Sequence, residues 1–212
     1  MKKTAVLCLL LCLLALFGCK NNTQSAENTT ADAETTQKTA IRQDSLNLKE
    51  LPPEKALVVY FSENDCIKQA AEYISQKTGA ALCRIETELP YPENSAEFER
   101  RIKEEKEKNI LPAIKNRPQR LGDYSVIFFG FPVWEDSLPM AALTFLSDYD
   151  MRGKAFVPFA YSENGSIAAA ADVIAAACAD SVLAEPYVLS SDSEIAAGTA
   201  FDSWLKTAVY GN

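Results

Sequence analysis

The middle of the chain contains an almost unbroken apolar run, Ser125-Val126-Ile127-Phe128-Phe129-Gly130. A short run of this kind without charge is typical of a strand that is covered on both faces, as strands are in a parallel sheet. Two further runs have the same character, Ala56-Leu57-Val58-Val59-Tyr60-Phe61 before it and Ala155-Phe156-Val157-Pro158-Phe159-Ala160 after it. The sequence therefore predicts buried strands at these three places.

Helical and strand patterns fill the stretches around these runs. Helices are predicted at about 66–77, 94–108, 139–149, 166–179 and 194–210, and two more strands at 81–88 and 182–189. Strands that alternate with helices predict a parallel sheet with helices on both faces. We therefore expect an α/β domain whose five-stranded parallel sheet has the order 2-1-3-4-5 of a doubly wound fold.

The N-terminus has the pattern of an export signal. Met1-Lys2-Lys3 supplies positive charge, residues 5–17 form an apolar stretch, and the small residue Gly18 precedes Cys19. The apolar stretch is shorter than the roughly 20 residues that a transmembrane helix needs. Because residues 16–19 resemble the bacterial lipobox, residues 1–18 are predicted to be a lipoprotein signal peptide and Cys19 the lipidated residue. An ordinary secretory signal that is cleaved elsewhere is the alternative.

Residues 19–54 differ in composition from the rest of the chain. They are rich in Thr, Asn, Gln, Ala and Ser, with almost no large apolar residue before Ile41. Such a segment buries too little apolar surface to order itself, so it is predicted to be a flexible stalk before one domain, residues 55–212. Together with Cys19, the stalk predicts a lipid-anchored membrane protein that faces the periplasm or the cell surface.

Composition excludes several classes of site. The net charge is −8 and no basic cluster is present, which argues against a nucleic-acid partner. The chain has no histidine, which excludes His-based triads, His general bases and most zinc sites. Cys66, Cys83 and Cys178 are an odd number without metal-ligand spacing, so we expect no metal site, and the three thiols are interpreted as non-catalytic.

Three loops should meet beyond the carboxyl ends of the strands, where open parallel sheets bind ligands. They span residues 62–67, 131–136 and 161–166. Around them, residues 56–205 resemble flavodoxins of the type found in anaerobic bacteria. The resemblance is carried by Val59-Tyr60-Phe61-Ser62, Pro90-Tyr91-Pro92, residues 124–134, Pro139-Met140, Thr144-Phe145-Leu146 and Gly153-Lys154. It implies FMN, held non-covalently at the three loops.

The first loop departs from the family pattern. Flavodoxins have Ser/Thr-x-Thr-Gly-Asn-Thr there, whose hydroxyl and N–H groups wrap the FMN phosphate at a helix N-terminus. Ser62 matches the first position and Asn64 could donate at the third, whereas Asp65, Cys66 and Ile67 replace the glycine, the asparagine and the last threonine. Glu63 adds a second carboxylate, which repels phosphate. In the alternative interpretation, Asp65 or Asn64 caps the helix in place of phosphate.

The other two loops match the family more closely. Trp134 occupies the position whose aromatic ring lies against the isoalloxazine, and Pro132 and Val133 shape the backbone before it. Gly165, followed by Ser166, would permit close approach of the backbone to the ring. The alternatives are an aromatic side chain that merely fills the cleft, and a turn into a helix that Ser166 caps.

The resemblance leaves two functions open. In the first, the protein is an extracytoplasmic flavoprotein that carries electrons on FMN between redox partners, with no catalytic side chain required. In the second, it is a flavodoxin scaffold that has lost its cofactor and serves as a surface binding or interaction module. An NAD(P)H-dependent reductase is a third hypothesis, but no basic residue in the loops supports it.

Overall fold

The computed structural model describes residues 53–63, 65–191, 194–195 and 198–210. The predicted signal peptide, Cys19 and the stalk as far as residue 52 lie outside the described residues, and so does Asn64. Within the described part of the chain, no helix is both long enough and apolar enough to cross a membrane.

A parallel sheet forms the centre of the domain. Its strands are β1 (Ala56–Phe61), β2 (Ala81–Ile85), β3 (Val126–Pro132), β4 (Ala155–Tyr161), β5 (Val182–Leu183) and β6 (Tyr187–Leu189). The order is β2-β1-β3-β4-β5, and β6 also pairs with β4 in parallel. The predicted order 2-1-3-4-5 is therefore confirmed, with β5 and β6 sharing the fifth position.

The fifth strand differs from its predicted span. Residues 182–189 were expected to form one strand, but pairing with β4 is interrupted between Leu183 and Tyr187. Pro186 lies in this gap and has no N–H to donate to the neighbouring strand. The two short strands therefore replace a continuous one because a proline falls inside the apolar stretch.

Helices surround the sheet in the described part of the chain. They are α1 (Asp65–Thr78), α2 (Ser95–Glu107), α3 (Met140–Asp148), α4 (Ala168–Ala177) and α5 (Thr199–Tyr210). The last helix was predicted to begin at Glu194, but Gly198 has a left-handed backbone with φ of +73° and separates Glu194 and Ile195 from α5. A continuous helix cannot pass through that conformation.

Two apolar layers hold the helices to the sheet. All six residues of β1 are buried, as expected for a strand that is covered on both faces. One layer joins alternate residues such as Val59 and Phe129 to α2, α3 and α4, and the other joins Val58 and Phe128 to α1 and α5. Because both faces are filled, the loops at the carboxyl ends of the strands rest on a rigid base.

Gly130 in β3 is required by its neighbour on β4. A Cβ at Gly130 would lie 2.3 Å from Cζ of Phe159, its register partner, whose ring is fully buried. We expect Gly130→Ala to lower the free energy of unfolding by about 1–3 kcal/mol, since the ring must leave its packed position. Gly122→Ala is the control because nothing lies within 4 Å of the added Cβ. Urea unfolding compares the two variants, and equal stabilities would contradict the expected clash.

Candidate functional site

The loops after β1, β3 and β4 meet at one edge of the sheet. These three strands are adjacent and parallel, so their carboxyl ends lie side by side. The backbone joins two of the loops directly, since the N–H of Val133 donates to the carbonyl of Tyr161 over 2.8 Å. This edge is where doubly wound sheets bind their ligands.

In the first loop, three of the predicted site residues have buried side chains. The side chains of Cys66 and Ile67 are buried at 2% and 0% exposure in the layer between α1 and the sheet, so neither side chain faces a ligand at the loop. Ser62 is also buried, at the end of β1. Asp65 is the first residue of α1 and is exposed, whereas Asn64 lies outside the described residues.

Two arginines that sequence reasoning did not associate with this loop act on it. Arg84, from β2, donates from Nη2 to the carbonyl oxygen of Ser62 over 3.0 Å. Partial burial of the Glu63 carboxyl group raises its pKa, and the nearby guanidinium groups of Arg84 and Arg101 oppose this rise. The Glu63 carboxylate, which repels a phosphate when it is charged, is thus easier to protonate than an ordinary glutamate. The guanidinium groups of Arg84 and Arg101 lie near it.

The second loop is a tight two-residue hairpin turn. The N–H of Trp134 donates to the carbonyl of Ser137 over 3.0 Å, and the N–H of Ser137 donates to the carbonyl of Trp134 over 2.8 Å. Between them, Glu135 and Asp136 have φ of +49° and +55°. Both central residues of such a turn need this left-handed backbone, which side chains rarely adopt. The ammonium group of Lys106 also donates to the Glu135 carbonyl and secures the turn from α2.

Trp134 is half-buried and packs among other aromatic rings. Its ring centroid lies 5.1 Å from that of Phe61, 5.2 Å from Tyr91 and 4.9 Å from Phe98, all in edge-to-face geometry. Such pairs orient an indole more firmly than apolar burial alone. Trp134 is therefore both a packing residue, as one interpretation predicted, and a partly exposed ring at the edge of the site.

The third loop is tied by side-chain bonds. Oδ1 of Asn164 accepts from the N–H of Ser166 over 2.9 Å, and the Ser162 hydroxyl lies 2.8 Å from the same oxygen. Gly165 has φ of +72°, and nothing lies within 4 Å of the place where a Cβ would stand. The space beside Gly165 is therefore open, and its backbone conformation explains the glycine.

Ser166 does not cap the helix that follows it. The N-cap position of α4 belongs to Ile167, which makes no capping bond with its side chain. The prediction of a Ser166 cap is therefore wrong, because Asn164 fixes Ser166 one residue before the cap position. Asn164 also donates from Nδ2 to Oδ1 of Asp136 over 3.2 Å and so joins the third loop to the second.

A buried ion pair between Arg101 and Glu105 holds Tyr91, one of the rings that pack against Trp134. Glu105 on α2 accepts from the hydroxyl of Tyr91 over 2.6 Å and from Nε of Arg101 over 2.8 Å. Burial and the Glu105 carboxylate raise the pKa of Tyr91, so the phenol stays protonated. Although α2 is rich in charged residues, Ile102 and Glu105 on it are buried. The Pro-Tyr-Pro sequence and the i,i+4 spacing of Arg101 and Glu105 were the signals for this contact.

The structure gives no thiol a reactive environment in the described part of the chain. Cys66 and Cys178 are buried, and Cys83 is half-buried on β2. Burial raises the pKa of Cys83, and it raises that of Cys178 to about 11. Thiols with raised pKa are poor nucleophiles at neutral pH.

The sheet order and the loop edge define a doubly wound α/β domain with one ligand-binding edge at its topological switch point. Residues 55–207 match the family model for flavodoxins. This match spans most of the chain, so the protein belongs to the flavodoxin family.

Solved structures agree with this assignment. The chain is 30% identical to a candidate flavoprotein from Bacteroides eggerthii DSM 20697, with a TM-score of 0.62 over 73% of this chain and 97% of that one. It is 24% identical to a candidate flavoprotein from Bacteroides uniformis ATCC 8492, with a TM-score of 0.61 over 73% and 99%. No protein among the curated ones gives a significant match.

A third structure contains a cofactor. It is a flavoprotein from Lactobacillus acidophilus NCFM in complex with FMN, and the chain is 20% identical to it. The TM-score is 0.56 over 71% of this chain and 98% of that one. At this identity the likeness concerns the fold alone.

The residues at the loop edge fit a flavin mononucleotide. Trp134 offers a partly exposed ring, and the exposed backbone of Gly165 has no side chain to block the approach of a ligand. In the first loop, the N-terminus of α1 favours an anion, while Glu63 and Asp65 oppose one. Arg84 is bonded to this loop and carries the opposite charge. The fit is therefore good for the flavin ring and depends on charge balance for the phosphate.

Proposed function

We propose that this protein is a membrane-anchored, extracytoplasmic flavodoxin that binds FMN and carries electrons between redox partners. The observation that carries the proposal is that the loops with Trp134 and the left-handed Gly165 are hydrogen-bonded to each other at the carboxyl edge of the sheet, in a member of the flavodoxin family. The FMN complex of the Lactobacillus acidophilus flavoprotein supports the choice of cofactor. The signal sequence before Cys19 supports the anchor.

Each loop has a role in holding the cofactor. Trp134, oriented by Pro132 and Val133, would lie against the isoalloxazine ring, with the backbone of Gly165 and Ser166 beside it. Ser62, Asn64 and the N–H groups of Cys66 and Ile67 would hold the phosphate at the start of α1. The bound flavin supplies the electron transfer, while the protein excludes water and sets the surrounding charge.

The exposed acidic side chains around the site bear on the redox potential. Glu63, Asp65, Glu135, Asp136 and Glu163 are exposed residues of the three loops. Negative charge near the ring disfavours a reduced flavin that is itself anionic. A bound flavin is therefore expected to be a stronger reductant than free FMN, which suits a donor of electrons.

The same carboxylates favour a second candidate function, that of a scaffold without cofactor that binds partners through this edge of the sheet.

The experiment that separates the two functions uses the full chain, purified in mild detergent. Its visible spectrum is recorded before and after chemical reduction. Flavin bands that bleach on reduction and return in air support the electron carrier. A colourless protein that takes up no FMN on reconstitution supports the scaffold. Labelling with palmitate tests the anchor, and Cys19→Ser should abolish the label.

FMN affinity should rise as pH falls below neutrality. Glu63 has a raised pKa, so it loses its charge on acidification earlier than an ordinary glutamate, and its repulsion of the phosphate disappears. We expect a gain of about fivefold, which corresponds to ~1 kcal/mol of repulsion between a carboxylate and the phosphate. Glu63→Gln should bind FMN tightly both at neutral pH and at the lower pH, because it carries no charge at either. Flavin fluorescence titrations check this, with riboflavin, which lacks the phosphate, as the control ligand; an equal gain for riboflavin would exclude Glu63 as the cause.

A further inference from the structure

Arg84 lies outside every loop that was predicted to bind a ligand. It is on the edge strand β2, in register with Tyr60 of β1. Its guanidinium group nevertheless reaches the end of β1, where Nη2 donates to the carbonyl oxygen of Ser62 over 3.0 Å. Ser62 is the first residue of the loop that would hold the phosphate, so Arg84 fixes the point from which the loop departs.

Glu86, the acidic residue just after β2, neutralises the charge of Arg84 only weakly. Nη1 lies 3.9 Å from Oε1 of Glu86, a loose and solvent-exposed pair, and 43% of the Arg84 side chain is exposed. Glu86 is also shared with Lys115 at 3.9 Å and with the amide of Asn116 at 2.8 Å. Much of the positive charge of Arg84 therefore remains available to the first loop.

Glu63 experiences that charge directly. Of the charged groups that act on the Glu63 carboxyl group, Arg84 has the largest stabilising effect, followed by Arg101, and Glu86 acts in the opposite sense. Arg84 thus offsets a carboxylate that lies next to the proposed phosphate position. A phosphate monoester carries about −1.5 to −2 charges at neutral pH, so this offset matters for FMN and not for a flavin without phosphate.

We propose that Arg84 is the positioning and specificity residue of the phosphate loop. It holds the Ser62 carbonyl and supplies the positive charge that allows a loop with two carboxylates to accept FMN in preference to riboflavin. This inference rests on the proposed function, but its residues and contacts belong to the protein without ligand. The planar guanidinium is suited to both tasks because it presents several N–H groups in a fixed geometry.

The test measures dissociation constants of the full chain for FMN and riboflavin by quenching of flavin fluorescence. Arg84→Met should weaken FMN about tenfold, in keeping with the loss of a charge-assisted contact, and change riboflavin by less than about twofold. Arg100→Met is the matched control, since Arg100 is 70% exposed on α2 and its ion pair within the described residues is with Glu104. It removes the same charge and should change neither constant. Equal losses for both flavins, or no loss for either, would overturn the inference.

A second readout needs no flavin and separates this inference from the proposed function. NMR titration of the Glu63 carboxyl group should show a higher pKa in Arg84→Met than in the wild type, while Arg100→Met leaves it unchanged. Arg101 and Glu86, the other charged groups that act on Glu63, are kept in both variants. If the wild type binds neither flavin, the proposed function fails. If the Glu63 pKa does not respond to Arg84→Met, the charge role of Arg84 fails whatever the flavin result.

Discussion

FMN should bind the Trp134→Ala variant about a hundredfold more weakly than it binds the wild type. Stacking of a planar ring on an aromatic side chain contributes about 1–3 kcal/mol, and the edge-to-face contacts that orient this indole would be lost with it. Dissociation constants for FMN from fluorescence titration measure the loss.

Two further variants separate stacking from packing. Trp134→Phe keeps an aromatic ring among Phe61, Tyr91 and Phe98, so it should fold like the wild type and lose much less affinity. Trp204→Ala removes a tryptophan from α5, where its Nε1 donates to the carbonyl of Glu185, and should leave FMN binding unchanged. An unchanged affinity of Trp134→Ala would show that the ring does not contact the flavin.

Loss of Arg101 should be the most damaging change to the stability of α2. Its Nε donates to Glu105 over 2.8 Å, and its Nη1 donates to the carbonyl of Pro90 over 2.7 Å. Its guanidinium also lies 4.0 Å from the ring centroid of Tyr91. The side chains of Arg101 and Glu105 are only 15% and 7% exposed. Arg101→Met leaves a buried carboxylate with one neutral donor, and we expect a loss of about 3 kcal/mol in the free energy of unfolding.

The control lies one residue earlier. Arg100 and Glu104 form the same i,i+4 pair on the exposed side of α2, at 3.4 Å, so Arg100→Met should cost no more than about 0.5 kcal/mol. The double variant Arg101→Met/Glu105→Gln should recover part of the loss because no charge is left buried. Urea unfolding of the variants gives the comparison, and similar values for Arg100→Met and Arg101→Met would contradict the buried ion pair.

Most of the fold was predictable because burial on both faces leaves a mark on the sequence. The apolar runs at 56–61 and 155–160 allowed their strands to be placed within a residue or two, and the alternation with helices restricted the topology to few candidates. The last strand and the last helix were predicted too long because a proline and a left-handed glycine overrode the apolar pattern. Pro186 divides the last strand, and Gly198 separates the last helix from Glu194.

The position of the site could be predicted from the sequence, but the positions of the charged side chains around it could not. Loops that follow adjacent parallel strands must meet, which located Trp134 and Gly165 from sequence. Arg84 and Arg101 reach the first loop from β2 and α2, and their approach depends on strand register and helix rotation. Neither quantity can be obtained from the spacing of residues along the chain. The carboxylates of the first loop were therefore visible in the sequence, whereas the cations beside them were not.

Titration of FMN with the purified full chain, followed by flavin fluorescence, tests the central claim most directly. Flavin that stacks on Trp134 should lose its fluorescence, with a dissociation constant on the order of 1 μM or below, equivalent to a binding free energy of about −8 kcal/mol. FMN whose fluorescence remains unchanged at a large excess of protein would contradict the flavoprotein function. The acidic edge of the sheet would then belong to a scaffold that binds another partner.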